Sequence, residues 1–228
     1  MQPNRTAVPC TVYRYGLVEY QEAQELQRSF VARCRADGRA RLLLLEHPPT
    51  YTFGARARPE HLLLDAAQLG EIGATVHETG RGGDITYHGP GQLVAYPILD
   101  LRRWRQGPRW YVRSLEEILI ETLASFSIAA RRWDGRPGVW IGAAKIAAIG
   151  VRISRGVTSH GFALNVDTDL SYFTHIVPCG LPDTTVTSMA EQIGRAPGLD
   201  AVMDATIEAF ARVFPIAIQQ PALAEATA

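Results

Sequence analysis

Three stretches of this 228-residue chain carry side chains whose types and setting point to chemistry. In HIVPCGLPD, Cys179 stands between Pro178 and Gly180, with a second proline at 182. The prolines stiffen the loop, while Gly180 leaves the backbone beside the thiol unhindered. A free thiol ionises near pH ~8.5, so a neighbouring ammonium would favour the reactive thiolate. In WIGAAKIAAIGVRI, Lys145 has small or apolar residues on both alternating faces, which predicts a strand buried on both sides. An ammonium placed there either reaches solvent from a strand edge or sits in a dry pocket. In the second case its pKa falls and it can exchange protons.

The third stretch, TGRGGDITYHGPGQLVAY, interleaves Gly80, Gly82, Gly83, Gly89 and Gly91 with Arg81, Asp84, Thr86, Tyr87 and His88. Glycine at this density either brings backbone close to a ligand or makes a tight, bulged hairpin. No Gly-Lys-Ser/Thr follows, as a P-loop requires. An apolar strand comes next, where a dinucleotide fingerprint would open a long helix. Thr86, Tyr87 and His88 fall in β-favouring positions and read as a pocket wall with His88 at its mouth, or His88 as a structural histidine. The other two cysteines have blander settings: Cys34 shares a helical stripe with Leu26 and Phe30 and reads as a small core residue, and Cys10 lies in a proline-flanked N-terminal segment.

The elements that must position these residues follow from periodicity. TVYRYGLV (11–18) reads as a strand, and a helix follows with Ala23, Leu26, Phe30 and Cys34 on one face and Gly38 at its end. RLLLLEH (41–47) is a short buried strand, HLLLDAAQLGEIGA one or two short helices, and ATVHET (74–79) an alternating strand. Pro97 puts the apolar QLVAYPILDL at a sheet edge or gives it a bulge. WYVRSLEEILIETLASF carries Val112, Leu115, Leu119, Leu123 and Phe126 at helical period. Strands dominate from 129 to 166, with a turn at Arg155-Gly156, and a final helix follows Gly198. The mixture, without strict βαβ alternation, predicts an α/β or α+β domain with a mixed, largely antiparallel sheet flanked by helices. One domain over 11–217 is expected, with an N-terminal segment at 1–10 and a loosely ordered Ala-rich tail over 219–228.

Composition narrows the class. Apolar residues make up 46% and charged residues 20%, and 23 Lys plus Arg balance 23 Asp plus Glu. No net field draws the molecule to nucleic acid or to membrane. The absence of a bilayer-length apolar run, of a signal-peptide core at the start, and of zinc-type cysteine spacing leads to the expectation of a cytoplasmic protein with no metal site.

The order of RGGDITYHGPGQLVAY, KIAAIGVRI, GFALNV and IVPCGL, with LEHPPTYTFG before them, closely resembles the lipoyl(octanoyl) transferases from about Tyr15 through the last helix. The pattern Arg-Gly-Gly-x-x-Thr-Tyr-His-x-x-Gly-Gln is matched in full from Arg81 to Gln92. The resemblance implies the fold of biotin and lipoate protein ligase catalytic domains. It implies octanoyl or lipoyl transfer from acyl carrier protein to a lysine of lipoyl domains, in 2-oxoacid dehydrogenase complexes and the glycine cleavage H protein. By position, Cys179 would be the acyl-thioester nucleophile and Lys145 the group that lowers its pKa. Arg81, Gly82, Gly83, Asp84, Ile85, Thr86, Tyr87 and His88 would form a first substrate-binding wall, and Ala148, Ile149, Gly150, Gly161, Phe162 and Ala163 two further segments. No cofactor is implied beyond the phosphopantetheine of the carrier. An ATP-dependent lipoate or biotin ligase and a non-catalytic carrier-binding protein of the same fold are the alternatives. Against the ligase stand the missing Gly-Arg-Gly-Arg phosphate loop and the thiol in IVPCGL.

Overall fold

A computed structural model describes residues 7–177 and 185–221. Cys179 lies outside the described residues. In chain order the strands are β1 (Val8–Leu17), β2 (Ala40–Glu46), β3 (Thr50–Phe53), β4 (Thr75–Glu78), β5 (Thr86–His88), β6 (Gln92–Ile98), β7 (Arg131–Trp133), β8 (Arg136–Ile141), β9 (Ala144–Ser154), β10 (Val157–Asn165) and β11 (Ile216–Gln219). The helices are α1 (Tyr20–Asp37), α2 (Ala66–Glu71), α3 (Pro108–Ser125), α4 (Met189–Ile193) and α5 (Leu199–Val213).

Eight strands form the main sheet in the order β11-β1-β2-β6-β10-β9-β8-β7, and β4-β3-β5 form a smaller one. β1 runs parallel to both its neighbours, and every other pairing of the main sheet is antiparallel. The central strand β2 shows why the chain forms layers. Leu42 and Leu44 face a core shared with α3 and α5, while Leu43 and Leu45 face a second core under α1. All four are fully buried, each worth about 1.5–3 kcal/mol of transfer free energy. In α1 the buried stripe is Tyr20, Ala23, Gln27, Phe30 and Cys34. Leu26 is only half-buried, and Gln27 occupies the inner position because its amide oxygen accepts from the His160 backbone N–H at 2.7 Å. Gly38, at φ 68°, ends the helix, its N–H donating to the Cys34 carbonyl.

Pro97 does not mark an edge. β6 is interior, between β2 and β10. The β6–β10 pairing ends at Ala95↔Phe162, and the Pro97 carbonyl is turned to that side, where Thr158 Oγ1 donates to it at 2.7 Å. The missing N–H therefore falls where no ladder bond is required. The irregularity sits on the partner strand, where His160 takes φ 55°. The expected turn at Arg155-Gly156 is present, with both residues at positive φ (51° and 83°), as a two-residue type I′ hairpin demands. The ends of the domain differ from expectation: β1 already begins at Val8, and β11 carries sheet pairing through Gln219.

Candidate active site

The Gly-rich segment crosses from the small sheet to the large one and lies directly on β9. Gly82 donates its N–H to the Val151 carbonyl at 2.9 Å. A Cβ added at Gly150 would stand 3.0 Å from both the Gly82 carbonyl and Arg81 Cδ. Gly82 and Gly150 are thus small because two backbones approach there. Arg81 fastens the junction: its guanidinium donates to Thr52 Oγ1 at 2.9 Å and to the Thr52 carbonyl, while its stem packs on Gly150. Asp84 is oriented by His61, whose Nδ1 lies 2.8 Å from the carboxylate, and by the Ile85 N–H at 2.7 Å.

Between this wall and the main sheet lies a cavity of about 250 Å³. Arg81 to Thr86 and His88 line it, together with Lys145, Ala148, Ile149, Gly150, Gly161, Phe162 and Ala163. Tyr87 is the one binding-wall residue that the fold turns away. Strand alternation points it into the small sheet's core, where its ring stacks on Tyr172 at 4.6 Å and meets Tyr51 at 5.4 Å.

Lys145 stands near the start of β9, and its Nζ lies 4.7 Å from the centre of the Trp140 ring, a cation–π contact. The strand around it is not buried on both faces. Only Ile146 and Ala147 are buried, and the residues on either side are half-buried or exposed, because β9 forms a cavity wall rather than the middle of a core. The Lys145 backbone binds the incoming chain on both sides of Val186. Its N–H donates to the Thr185 carbonyl at 2.9 Å, and its carbonyl accepts from the Thr187 N–H at 3.0 Å. At the other flank of the undescribed segment, Val177 donates to the His61 carbonyl at 2.9 Å. The chain that follows the segment holding Cys179 is therefore bonded to the cavity-lining Lys145, and the chain that precedes it to His61, the partner of the cavity-lining Asp84.

A relay of buried amides runs beneath the cavity. His88 Nδ1 lies 2.8 Å from Gln92 Oε1, Gln92 Nε2 donates to Asn165 Oδ1 at 2.9 Å, and Asn165 Nδ2 donates to the Thr187 carbonyl at 3.0 Å. Since Gln92 presents its oxygen, His88 carries its proton on Nδ1, and burial holds its pKa well below the usual imidazole range. His175 is held by Tyr51, its Nδ1 2.9 Å from the hydroxyl. Cys10 and Cys34 are buried outside the cavity, and burial pushes their thiols up to about 12 and about 11. Tyr20, Tyr96 and His160 also line the cavity without having been expected there. His160 adjoins the GFA segment in sequence, the only signal that would have found it. Tyr20 reads simply as the start of a helix.

The architecture is that of lipoate protein ligases. It superimposes on lipoate-protein ligase A bound with ATP (TM-score 0.72, 16% identity, 96% of this chain and 91% of that one). It also superimposes on the bipartite lipoate protein ligase of Thermoplasma acidophilum (TM-score 0.73, 18% identity, 96% and 89%). The sequence model of the lipoyl protein ligase A/B catalytic domain matches residues 19–211. The octanoyltransferase of Chloroflexus aggregans is 50% identical over 211 residues, covering 90% of this chain and 95% of its own. That of Solibacter usitatus is 51% identical over 207 residues, covering 90% and 93%. The chain belongs to the lipoyl protein ligase A/B catalytic-domain family. Within that family it is an acyltransferase.

Proposed function

We propose that this enzyme transfers an octanoyl group from the phosphopantetheine thioester of acyl carrier protein to a lysine of a lipoyl domain, in protein lipoylation, through an acyl thioester on Cys179. The observation that carries the reading is the placement of Lys145. It lies on the wall of a cavity lined by Ala148, Ile149, Phe162 and Ala163, with its backbone bonded to the chain that returns from the Cys179 segment. The burial of Cys10 and Cys34 supports the choice of Cys179 among the three cysteines. The half identity to octanoyltransferases supports the acyl group.

In this reading the neutral Lys145 amine takes up the thiol proton, the resulting ammonium stabilises the thiolate, and the thiolate Sγ attacks the octanoyl carbonyl. The new C–S bond forms as the carrier's C–S bond breaks, and the phosphopantetheine thiol leaves with a proton. A lipoyl-domain ε-amine then attacks the acyl-enzyme, the amide forms, and the Cys179 thiol is restored by the amine's proton through Lys145. Thioester exchange is nearly balanced and amide formation is downhill, so the reading needs no ATP, metal or other cofactor. The acceptors it implies are the lipoyl domains of 2-oxoacid dehydrogenase complexes and the glycine cleavage H protein.

Intact-mass measurement after incubation with octanoyl acyl carrier protein tests it. The expected result is one octanoyl adduct on the wild type and none on Cys179→Ala. An adduct that persists in that variant moves the site to Cys10 or Cys34, and no adduct in either reduces the protein to a carrier binder. Product from free octanoate and ATP, with no carrier thioester present, would overturn transfer in favour of ligation.

A further inference from the structure

Behind the acyl cavity lies a second groove of about 420 Å³, lined by Gln27, Arg28, Arg35, Arg152 and Ser159 among others. Among the described residues, His160 is the one that lines both. Its ring meets the cavity-lining Tyr96 edge-on, with centroids 6.3 Å apart. Arg81 lines the cavity and Arg152 the groove, and both help burial hold the imidazole down to about 4.

The position is strained and held. His160 takes φ 55° inside a strand, in the left-handed region that few non-glycine residues adopt, Asn, Asp and His more often than the rest. The buried Gln27 fixes it through the 2.7 Å bond to its N–H. Gly161 beside it is pressed onto β6: an added Cβ would lie 2.1 Å from the Ala95 carbonyl. Strain maintained by surrounding contacts at a cavity wall points to a role at that wall.

Length agrees. The cavity follows β9 from Lys145 to Val151, and Val151 is the cross-strand partner of His160. Six residues of strand span ~20 Å. The Lys145 side chain occupies one end and the imidazole the other. An extended eight-carbon acyl chain, whose seven C–C bonds of ~1.5 Å zigzag over about 9 Å, fits the space between.

We infer that His160 is the end wall of the acyl cavity and sets the length of chain the enzyme accepts, by closing the cavity off from the groove behind it. This rests on the acyl-transfer reading above. Truncating the imidazole joins the two spaces, and a chain long enough to reach the ring no longer collides with it.

The test is acyl-enzyme formation and transfer from octanoyl, decanoyl, dodecanoyl and tetradecanoyl carrier thioesters by wild type, His160→Gly and His160→Asn. Both replacements accept positive φ, so each can keep the backbone. His160→Gly should raise the dodecanoyl-to-octanoyl ratio of kcat/KM by at least about tenfold, the low end of what one methylene costs in a fitted apolar pocket. His160→Asn, which removes less volume, should shift the ratio less. An octanoyl-active His160→Gly or His160→Asn with the wild-type length profile sinks the inference and leaves the transferase reading standing. Wild type that takes no acyl group of any length overturns both.

Discussion

His47 donates its Nδ1–H to the Val18 carbonyl at 2.7 Å and accepts the Tyr96 hydroxyl on Nε2 at 2.7 Å, so the neutral ring satisfies both partners and the cation only one. Burial lowers its pKa to about 4, and His160 is likewise held near 4. In the unfolded chain both return to ~6.5, so between these limits the unfolded state binds more protons. Their contribution to stability is complete above pH ~6.5 and is lost as pH falls toward 4. Each histidine adds a slope of ~1.4 kcal/mol per pH unit in that window. Urea titrations from pH 7 to 4.5 should therefore show falling stability, and His47→Gln should flatten the line by about one such increment. An unchanged slope would show that His47 does not titrate on unfolding. For Lys145, replacement by alanine should slow acyl-enzyme formation by about 10²–10⁴-fold in stopped-flow quench experiments, with partial recovery at alkaline pH as the thiol ionises unaided. A pH-independent deficit would assign Lys145 to positioning alone.

At the scale of elements, the close contacts are backbone against backbone. Gly161→Ala places a Cβ 2.1 Å from the Ala95 carbonyl and 2.7 Å from Pro97 Cδ, so β6 and β10 must separate. A loss of about 2 kcal/mol or more in urea unfolding is expected, and a loss under about 0.5 kcal/mol would mean the strands yield freely. The hairpin at 155–156 gives the opposite sign. Arg155 holds φ 51°, which asparagine adopts more readily, so Arg155→Asn should gain ~0.5 kcal/mol and raise Tm by about 1–2 °C. That hairpin was legible in sequence because turn chemistry is local, as were β2 and α3, whose apolar runs are long. β3 was not, being four residues long and defined by its pairing to β4 and β5, whereas β5, only three residues long, showed as the β-favouring Thr86, Tyr87 and His88. β11 escaped because three of its four side chains are exposed and leave no periodicity to read. The cavity lining was partly legible as motifs: Gly82, Gly83, Lys145 and the GFA segment gather at one cavity, while Gly80 faces the second groove. The facing of Tyr87, the reason Gly150 is small, and the role of Tyr96 in the wall depend on which strand lies beside which. Gly150 illustrates this best. Its hydrogen faces Arg81 and the Gly82 carbonyl, so its smallness serves the seam between sheets as well as the cavity.

Across the whole molecule, charge is balanced but not evenly placed. Arg102, Arg103, Arg105 and Arg109 are exposed around the buried Trp104 and suggest a dock for an acidic carrier. The fold puts that cluster at the far end of β9. Leu101 donates to the Gly156 carbonyl at 2.9 Å, and Arg102 packs on Gly156. From Lys145 to Ser154 the strand runs ~30 Å. A carrier docked on these arginines would have to deliver its thioester across the length of the sheet. Reversing Arg103 and Arg105 to glutamate should leave the KM for octanoyl acyl carrier protein within about twofold at low salt. A tenfold rise would restore them as the dock.

The pairing of β1 with β11 joins Val8 to Ile216. While the chain is being made, β1 can lie beside β2 as soon as residue 46 has emerged, yet its other edge waits for nearly the whole remaining polypeptide. A nascent chain held before Ile216 thus offers an open parallel edge, the kind of surface on which two incomplete chains pair with each other. β11 covers that edge from Val8 to Thr11 and becomes the new edge itself, a strand of four residues, so its arrival shortens the stretch on which an incomplete neighbour could pair.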